Sequence, residues 1–385
     1  MTRKKICIVA TVSFPLLVFM REHVNKLSEY YDITLICSGD GSELIDMLND
    51  RVKFISVRIE RKIVIRSDIC ALIALLKIFH HHKFDCVHSL MPKSSLLAMF
   101  AAWVLQVKVR VHIFTGQVWV AKRGLVRTIL ILMDKIVAGC ATHLLADSPS
   151  QRDFLIVHKI VNAQKIQVLA NGSISGVDTS RFKLDISQRL AIRKELDIDI
   201  DDIVFIYLAR LTRVKGIVDL ATAFAGVVNL LPKAHLLVVG PDEDRLTRLL
   251  DKIWQNCDGK IHRVNYVDRP ENYMSAADIF CLPSYLEGFS SATIQAAGVG
   301  LPAIVSRIYG LTDAVEGGVT GIFHDAGAIV QIQNAMRLLY MDRSLRIKMG
   351  CAAHRRAYTL FSQELVVEAM RLFYEKLLDG QTVKD

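Results

Sequence analysis

Short β-branched runs alternate with longer amphipathic stretches along almost the whole chain, and no other feature restricts the fold as strongly. In the first half the strand candidates are residues 6–12, 33–37, 52–57, 86–89, 109–114, 143–146 and 166–169. Helical stretches at 17–30, 69–82, 94–106, 125–138 and 150–158 fall between most of them. The second half repeats the scheme, with strands at 203–209, 235–239, 260–267, 279–282 and 302–305 and helices at 218–230, 243–255, 271–277 and 291–299. Alternation of this kind builds βαβ units and parallel sheets covered by helices on both faces. The expected fold is α/β, with two doubly wound Rossmann-like domains facing across a cleft lined by the loops at the strand C-termini. The acidic segment 178–202 reads as the domain junction, which sets the domains at 1–183 and 184–361. A last helix, from residue 362, is expected to pack back on the first domain.

The composition agrees with such a protein. Of 385 residues, 52% are hydrophobic and 23% charged, which excludes disordered and fibrous classes. The net charge of +9 is unevenly placed: residues 1–185 hold 25 Lys and Arg against 15 acidic residues, and the remainder 23 against 24. A basic first half suits nucleic acid, an anionic membrane or a phosphorylated substrate. Nucleic acid ranks last, because basic and aromatic residues do not interleave and no binding module is recognisable.

The eight cysteines show no CxxC pair and no zinc spacing, and most lie in apolar runs, so they read as reduced core residues of a cytosolic protein. Arg3, Lys4 and Lys5 resemble the start of a signal peptide, but the apolar run behind them reads better as a first strand. The longest uncharged stretch, 288–306, has 19 residues and is broken by Gly298, Gly300 and Pro302, so no membrane span is expected. The segment 58–66, with Arg58, Arg61, Lys62 and Arg66 among aliphatic residues, suits either an anionic lipid surface or a solvated loop.

Several chemistries find no support. The match Gly298-Val-Gly300 to a dinucleotide fingerprint ends a helix and precedes a strand, the reverse of the order the motif needs. There is no Walker loop, no nucleophile elbow and no zinc-protease motif. His80-His81-His82 closes a helix rather than binding metal, since cations favour a helix C-terminus. Asp242-Glu243-Asp244 could hold a divalent cation, but it reads better as the acidic first turn of a helix.

The strongest chemical signal lies in the second half. Arg210 falls at the end of a strand and Lys215-Gly216 in the loop behind it, so both cations can meet a diphosphate beside a helix N-terminus. About 70 residues later, Pro283-Ser284-Tyr285-Leu286-Glu287-Gly288-Phe289-Ser290-Ser291 leads from a buried strand into a helix carrying Gln295. Backbone N–H groups of Gly288 to Ser291 are placed to bind an anion or sugar hydroxyls, Glu287 can accept from a sugar, and Gln295 can reach a ribose.

These residues resemble the retaining glycosyltransferases of family four, which have the GT-B fold. The resemblance covers nearly the whole chain, including Asn171-Gly172 through Arg181-Phe182, Val239-Gly240-Pro241-Asp242 and Arg307-Ile308-Tyr309-Gly310. His88 with Pro92-Lys93, and Phe114-Thr115-Gly116-Gln117-Val118-Trp119, are similar to the branch that builds bacterial envelope polysaccharides on polyprenyl-diphosphate carriers. The resemblance implies that Arg210 and Lys215 stabilise the departing UDP diphosphate and that Glu287 orients the donor sugar. It implies backbone contacts from Gly288, Phe289, Ser290 and Ser291, the ribose at Gln295 and the uracil near Val267. Either Thr115 or His112 would meet the donor sugar from the first domain. It further implies no metal cofactor, a UDP-N-acetylhexosamine donor, a lipid-linked glycan acceptor and a place on the cytoplasmic face of an anionic inner membrane.

Two positions depart from the family pattern. Gln295 replaces a glutamate, keeping an acceptor but losing the charge. Ser13-Phe14-Pro15 lacks the usual glycine pair. A UDP-sugar epimerase or hydrolase, or a non-catalytic sugar-nucleotide binder, stays open beside the transferase on these grounds.

Overall fold

The computed structural model describes residues 3–60 and 63–380. Arg61 and Lys62 of the basic segment 58–66 therefore lie outside the described residues. The chain forms two compact units: the first runs to Ser175 and resumes at Glu364, and the second is Gly176–Gln363. The sequence reading set these junctions at 183/184 and 361/362.

In the first unit, seven strands form one sheet: β1 (Lys5–Val9), β2 (Asp32–Cys37), β3 (Val52–Ser56), β4 (Cys86–Ser89), β5 (Val109–Phe114), β6 (His143–Ala146) and β7 (Ile166–Val168). Their order is β3-β2-β1-β4-β5-β6-β7, and every neighbour is parallel. The alternation inside β1 shows why both faces are covered. Cys7 and Val9 belong to one core, beneath helices α2 (Ile65–His82), α3 (Pro92–Val104) and α4 (Gly124–Cys140). Ile6 and Ile8 belong to the opposite core, with Val24 and Leu27 of α1 (Arg21–Ser28). A strand buried on both faces must be apolar throughout, which is why it reads as a continuous run.

β1 ends at Val9, short of the expected Val12, level with the end of β4, since Val9 pairs with Ser89. The following residues turn into helix at once, Ser13–Pro15 and then Leu16–Met20. The three histidines close α2 as expected, and Lys83 ends it in the left-handed conformation.

The second unit holds β8 (Ile203–Leu208), β9 (Ala234–Val239), β10 (Ile261–Val264), β11 (Ile279–Leu282), β12 (Ala303–Ser306) and β13 (Gly321–His324). Their order is β10-β9-β8-β11-β12-β13, again all parallel. Helices α5 (Ile217–Val227), α6 (Ser291–Val299) and α7 (Arg343–Leu360) contribute to its single core. The uncharged stretch 288–306 divides into α6 and β12, and no helix of the described residues is long and apolar enough to cross a membrane.

The acidic segment 178–202, read as the domain junction, has structure of its own. It contains a helix, Ile186–Glu195, capped by Asp185, whose carboxylate accepts from Gln188 N–H at 3.1 Å. Arg193 on that helix is 2% exposed and donates to Asp278 Oδ2 at 2.7 Å and to the Asp202 carbonyl at 2.9 Å. Several charges of the segment are therefore capping and hydrogen-bonding groups of the second unit.

The last helix, α8 (Gln363–Leu378), belongs from Glu364 onward to the first unit. Met370, Phe373 and Tyr374 enter the core beneath β1, and the Tyr374 hydroxyl meets His88 Nδ1 at 2.6 Å. Burial keeps three histidines of this unit neutral, lowering His23 to about 4 and His88 and His112 to about 3. Their folded pKa values lie below the unfolded value, so the stability they carry is present above about 6.5 and is lost as pH falls. Below pH 6.5 the first unit should weaken by roughly 1.4 kcal/mol per pH unit for each histidine. Hydrogen exchange of β1, β4 and β5 peptides between pH 7 and pH 5 checks this, and protection free energies independent of pH would contradict it.

Candidate functional site

In the second sheet the strand order reverses between β8 and β11, and the loops leaving the C-termini of these two strands carry the candidate residues. In open parallel sheets a crevice forms at this point because the two flanking helices leave for opposite faces. Arg210 and Lys215 lie in the loop after β8, and Glu287 through Ser290 in the loop after β11. The structure thus brings together residues some 70 positions apart.

Backbone contact sets the spacing. Gly216 has φ +74° and lies so close to the second loop that a Cβ there would sit 1.9 Å from the Pro283 carbonyl oxygen. Tyr285 N–H donates to the Val214 carbonyl at 2.8 Å, and the Ser284 hydroxyl donates to the same carbonyl at 3.2 Å. Thr212 caps the turn between strand and helix, its hydroxyl accepting from Lys215 N–H at 3.3 Å. With the loops so joined, Lys215 Nζ reaches Glu287 Oε1 at 2.6 Å. Both side chains are largely buried, at 20% and 8% exposure.

Arg210 is held differently. Its Nη1 contacts Glu243 Oε2 at 2.8 Å, with exposures of 57% and 42%. An exposed pair of this kind contributes about 0–1 kcal/mol, whereas breaking a buried pair costs several. Arg210 is therefore cheap to redirect toward an incoming anion, and Lys215 stays on its carboxylate. The backbone of Arg210 is fixed from below by buried Tyr207, whose hydroxyl donates to the Arg210 carbonyl at 2.9 Å.

The acidic run after β9 is occupied by structural bonds. Asp242 accepts from Leu246 N–H at 2.8 Å and from Thr247 N–H at 2.9 Å, and Asp244 accepts from Arg213 N–H at 2.9 Å. The helix expected over 243–255 begins only at Thr247, so the acidic run precedes its first turn; Asp242 still bonds the start of that helix, and Asp244 ties the run to the loop of Arg213. Among the described residues no group of three or more acidic, histidine or cysteine side chains is arranged to hold a metal ion.

Gly288, Phe289 and Ser290 are buried, and Ser291 opens α6. The Ser290 hydroxyl is used within the helix cap, accepting from Thr293 N–H at 3.3 Å and from the Thr293 hydroxyl at 2.8 Å. Phe289 is a core residue that meets Phe361 with ring centroids 5.3 Å apart. Gly310 supports the loop, since a Cβ at its φ of +82° would lie 2.4 Å from the Gly288 carbonyl oxygen. Gln295 is half-buried, one helical turn beyond Ser291 and on the same face. Val267 follows edge strand β10 and is half-buried against the core.

In the first unit, His112 lies within β5, with its Nδ1 3.1 Å from the Ser89 hydroxyl, and is buried. Thr115 follows the strand end and is half-exposed, with its carbonyl accepting from the side-chain amides of Gln117 and Gln151. Of the two, Thr115 is the one open to a ligand at the strand C-termini. Ser13 and Phe14 line a recess of about 350 Å³ with Ser38, Asp40, Ser42 and Glu43, at the C-terminal ends of β1 and β2. The sequence reading gave no role to Tyr207 or Thr212 and took Glu243 only as part of the acidic run 242–244. The Thr-x-x-Lys spacing of a capped turn was a usable signal for Thr212, but nothing local marks Glu243 as the partner of Arg210.

Two family profiles match the chain: "Glycosyl transferase 4-like domain" over residues 20–172 and "Glycosyl transferases group 1" over residues 188–356. The chain is 28% identical to the capsular polysaccharide biosynthesis glycosyltransferase CapM of Staphylococcus aureus, over 98% of each chain. It is 29% identical to the UDP-Gal:alpha-D-GlcNAc-diphosphoundecaprenol alpha-1,3-galactosyltransferase of Escherichia coli, over 90% of this chain and 91% of the other. Among solved structures it is similar to Anabaena HepE in complex with UDP and glucose, with a TM-score of 0.81 and 17% identity over 98% and 99% of the two chains. Sucrose-phosphate synthase from Thermosynechococcus elongatus gives a TM-score of 0.82 at 19% identity, over 98% and 100%.

Gly216→Ala should destabilise the second unit by about 1–3 kcal/mol, because the new Cβ meets a carbonyl at a left-handed backbone position. Thermal unfolding followed by tryptophan fluorescence (Trp254 lies in this unit) measures it, and an unchanged transition would show that the loop contact is dispensable.

Proposed function

Because the chain belongs to the family-four glycosyltransferases, with the GT-B fold, we propose that it transfers a sugar from a UDP-sugar to a polyprenyl-diphosphate-linked glycan during bacterial envelope-polysaccharide synthesis. The observation that carries this reading is the Lys215–Glu287 pair at the reversal of strand order, with the N-terminus of α6 behind it. A cation for a diphosphate and a carboxylate for sugar hydroxyls stand side by side there, as a nucleotide-sugar requires. Similarity to an enzyme named for a diphosphoundecaprenol-linked acceptor supports the lipid carrier, and similarity to CapM supports the polysaccharide.

The reaction proceeds with retention. The bond from the anomeric carbon to the diphosphate breaks as the acceptor hydroxyl oxygen enters from the same face, and the hydroxyl proton passes to the departing phosphate oxygen. Arg210, released from Glu243, and Lys215 meet the charge that develops on the diphosphate. Glu287 orients the donor sugar through its hydroxyls, Gln295 holds the ribose, and the backbone near Val267 reads the uracil. Gly288 to Ser291 add backbone contacts, and Thr115 belongs to the sugar side in the first unit. The acceptor binds to the first unit at the cytoplasmic face of an anionic membrane. The diphosphate charge is met by side chains, so no metal is required, and EDTA should leave turnover unchanged.

Screening UDP-sugars against a polyprenyl-diphosphate-linked acceptor, with mass-spectrometric readout, tests the reading. UDP-N-acetylhexosamines come first, alongside UDP-galactose, the donor in the name of the E. coli relative. Arg210→Ala should lower kcat by about 10²–10³-fold while thermal unfolding stays as in the parent protein. Unchanged turnover would remove Arg210 from the site, and consumption of UDP-sugar without acceptor would favour an epimerase or hydrolase.

A further inference from the structure

The first unit carries a surface that the transfer chemistry does not use. Around the axis of α4, Val137, Ala138 and Asp134 face inward. On the opposite side Leu125, Ile129, Leu132 and Ile136 recur at intervals of four, three and four, so they form one stripe. All four are exposed, Leu125 to 75%. An amphipathic helix that only covers a sheet would present polar residues there. α2 repeats the arrangement with exposed Ile65, Ile69 and Ile73. Both helices contact α3 between them, so the stripes share one layer over one face of the sheet.

The exposed charges along α3 and α4 have one sign, and the one carboxylate of the first turn of α2, Asp68, is largely buried and paired with Lys93 at 2.6 Å. Between Asp85 and Asp147 the chain holds seven Lys and Arg but a single acidic residue, Asp134. The carboxylate of Asp134 is turned inward, accepting from Trp119 Nε1 at 2.8 Å. Lys122, Arg123, Arg127 and Lys135 are exposed beside the α4 stripe. Apolar residues edged by cations fit the boundary between anionic headgroups and acyl chains. A second copy of the same face fits less well, because it would set cation against cation. Spanning is excluded for α4, which has 17 residues and does not reach the length and apolarity a crossing needs.

We infer that the outer face of α4, with that of α2 beside it, seats the first unit on an anionic lipid bilayer by inserting the Leu125–Ile129–Leu132–Ile136 stripe. This deepens the proposed function by naming where the membrane is met, and it rests on that reading for its purpose. Whereas segment 58–66 suggested an electrostatic contact, the α4 face adds the apolar part that holds a protein in place once charge has drawn it in.

The test is flotation with phosphatidylcholine vesicles, with and without phosphatidylglycerol. The parent protein should bind the phosphatidylglycerol vesicles, and raising salt should weaken binding. Ile129→Glu with Leu132→Glu should weaken it at least about tenfold, since two apolar side chains lose their insertion energy. Lys122→Gln with Lys135→Gln should abolish the preference for phosphatidylglycerol. Both variants alter exposed positions, so they should keep the parent's thermal unfolding and its turnover on a water-soluble acceptor. Binding unchanged in the Ile129/Leu132 variant overturns the inference. So does a parent dimer, seen by light scattering, that this variant converts to monomer. Failure of the parent to transfer sugar to any acceptor would overturn the proposed function while leaving the vesicle result to stand by itself.

Discussion

The approach of two backbones governs the second unit. Gly216 lies against the Pro283 carbonyl because the loops after β8 and β11 leave adjacent strands at the point where the order of the sheet reverses. A side chain at 216 would force those loops apart. Their contact carries the rest: it seats Tyr285 and Ser284 on the Val214 carbonyl and puts Lys215 within 2.6 Å of Glu287. The parallel sheet supplies the crevice, and the missing Cβ lets the chain close it.

Two ion pairs at this site differ in burial, and so in mobility. Lys215 and Glu287 have given up most of their water, which makes separation costly and their geometry fixed. Arg210 and Glu243 remain half in solvent, so water can replace either partner. In the proposed reaction the rigid pair would define position and the movable cation would follow the charge of the diphosphate. The division also relates the candidate catalytic groups to their surroundings: Thr212 holds the turn of the rigid member, while Tyr207 holds only the backbone of the movable one.

Much of this was readable before any fold was known. A run of apolar residues buried on both faces looks the same in sequence and structure, so the strand positions follow closely, and Lys215 and Glu287, grouped in the sequence as one candidate site, are brought together. The parts that the sequence left unread share a cause. The acidic segment 178–202 reads as a domain junction, and nothing in its sequence tells that Asp185 caps a helix or that Arg193 on that helix is buried on Asp278, some 85 positions away. β1 stops early, level with the end of its neighbour β4, some 80 positions away in the chain. In each case a distant or tertiary partner decides the role of a residue whose neighbours in sequence say nothing of that partner.

The first unit shows the same limit on its surface. Hydrophobic periodicity states that α4 is amphipathic, but it does not say which apolar residues are covered. Leu125 and Val137 look alike in sequence; one is 75% exposed and the other 2%. By itself the sequence determined the alternation of strand and helix, the class of fold and the chemical types at the site, because periodicity and local capping are properties of neighbouring residues. The tertiary structure alone decided which cation meets which carboxylate, which acidic residues are engaged in caps and buried pairs, and which apolar face remains open. Those outcomes depend on strand order and close backbone contact between segments far apart in the chain, and no short-range pattern encodes them.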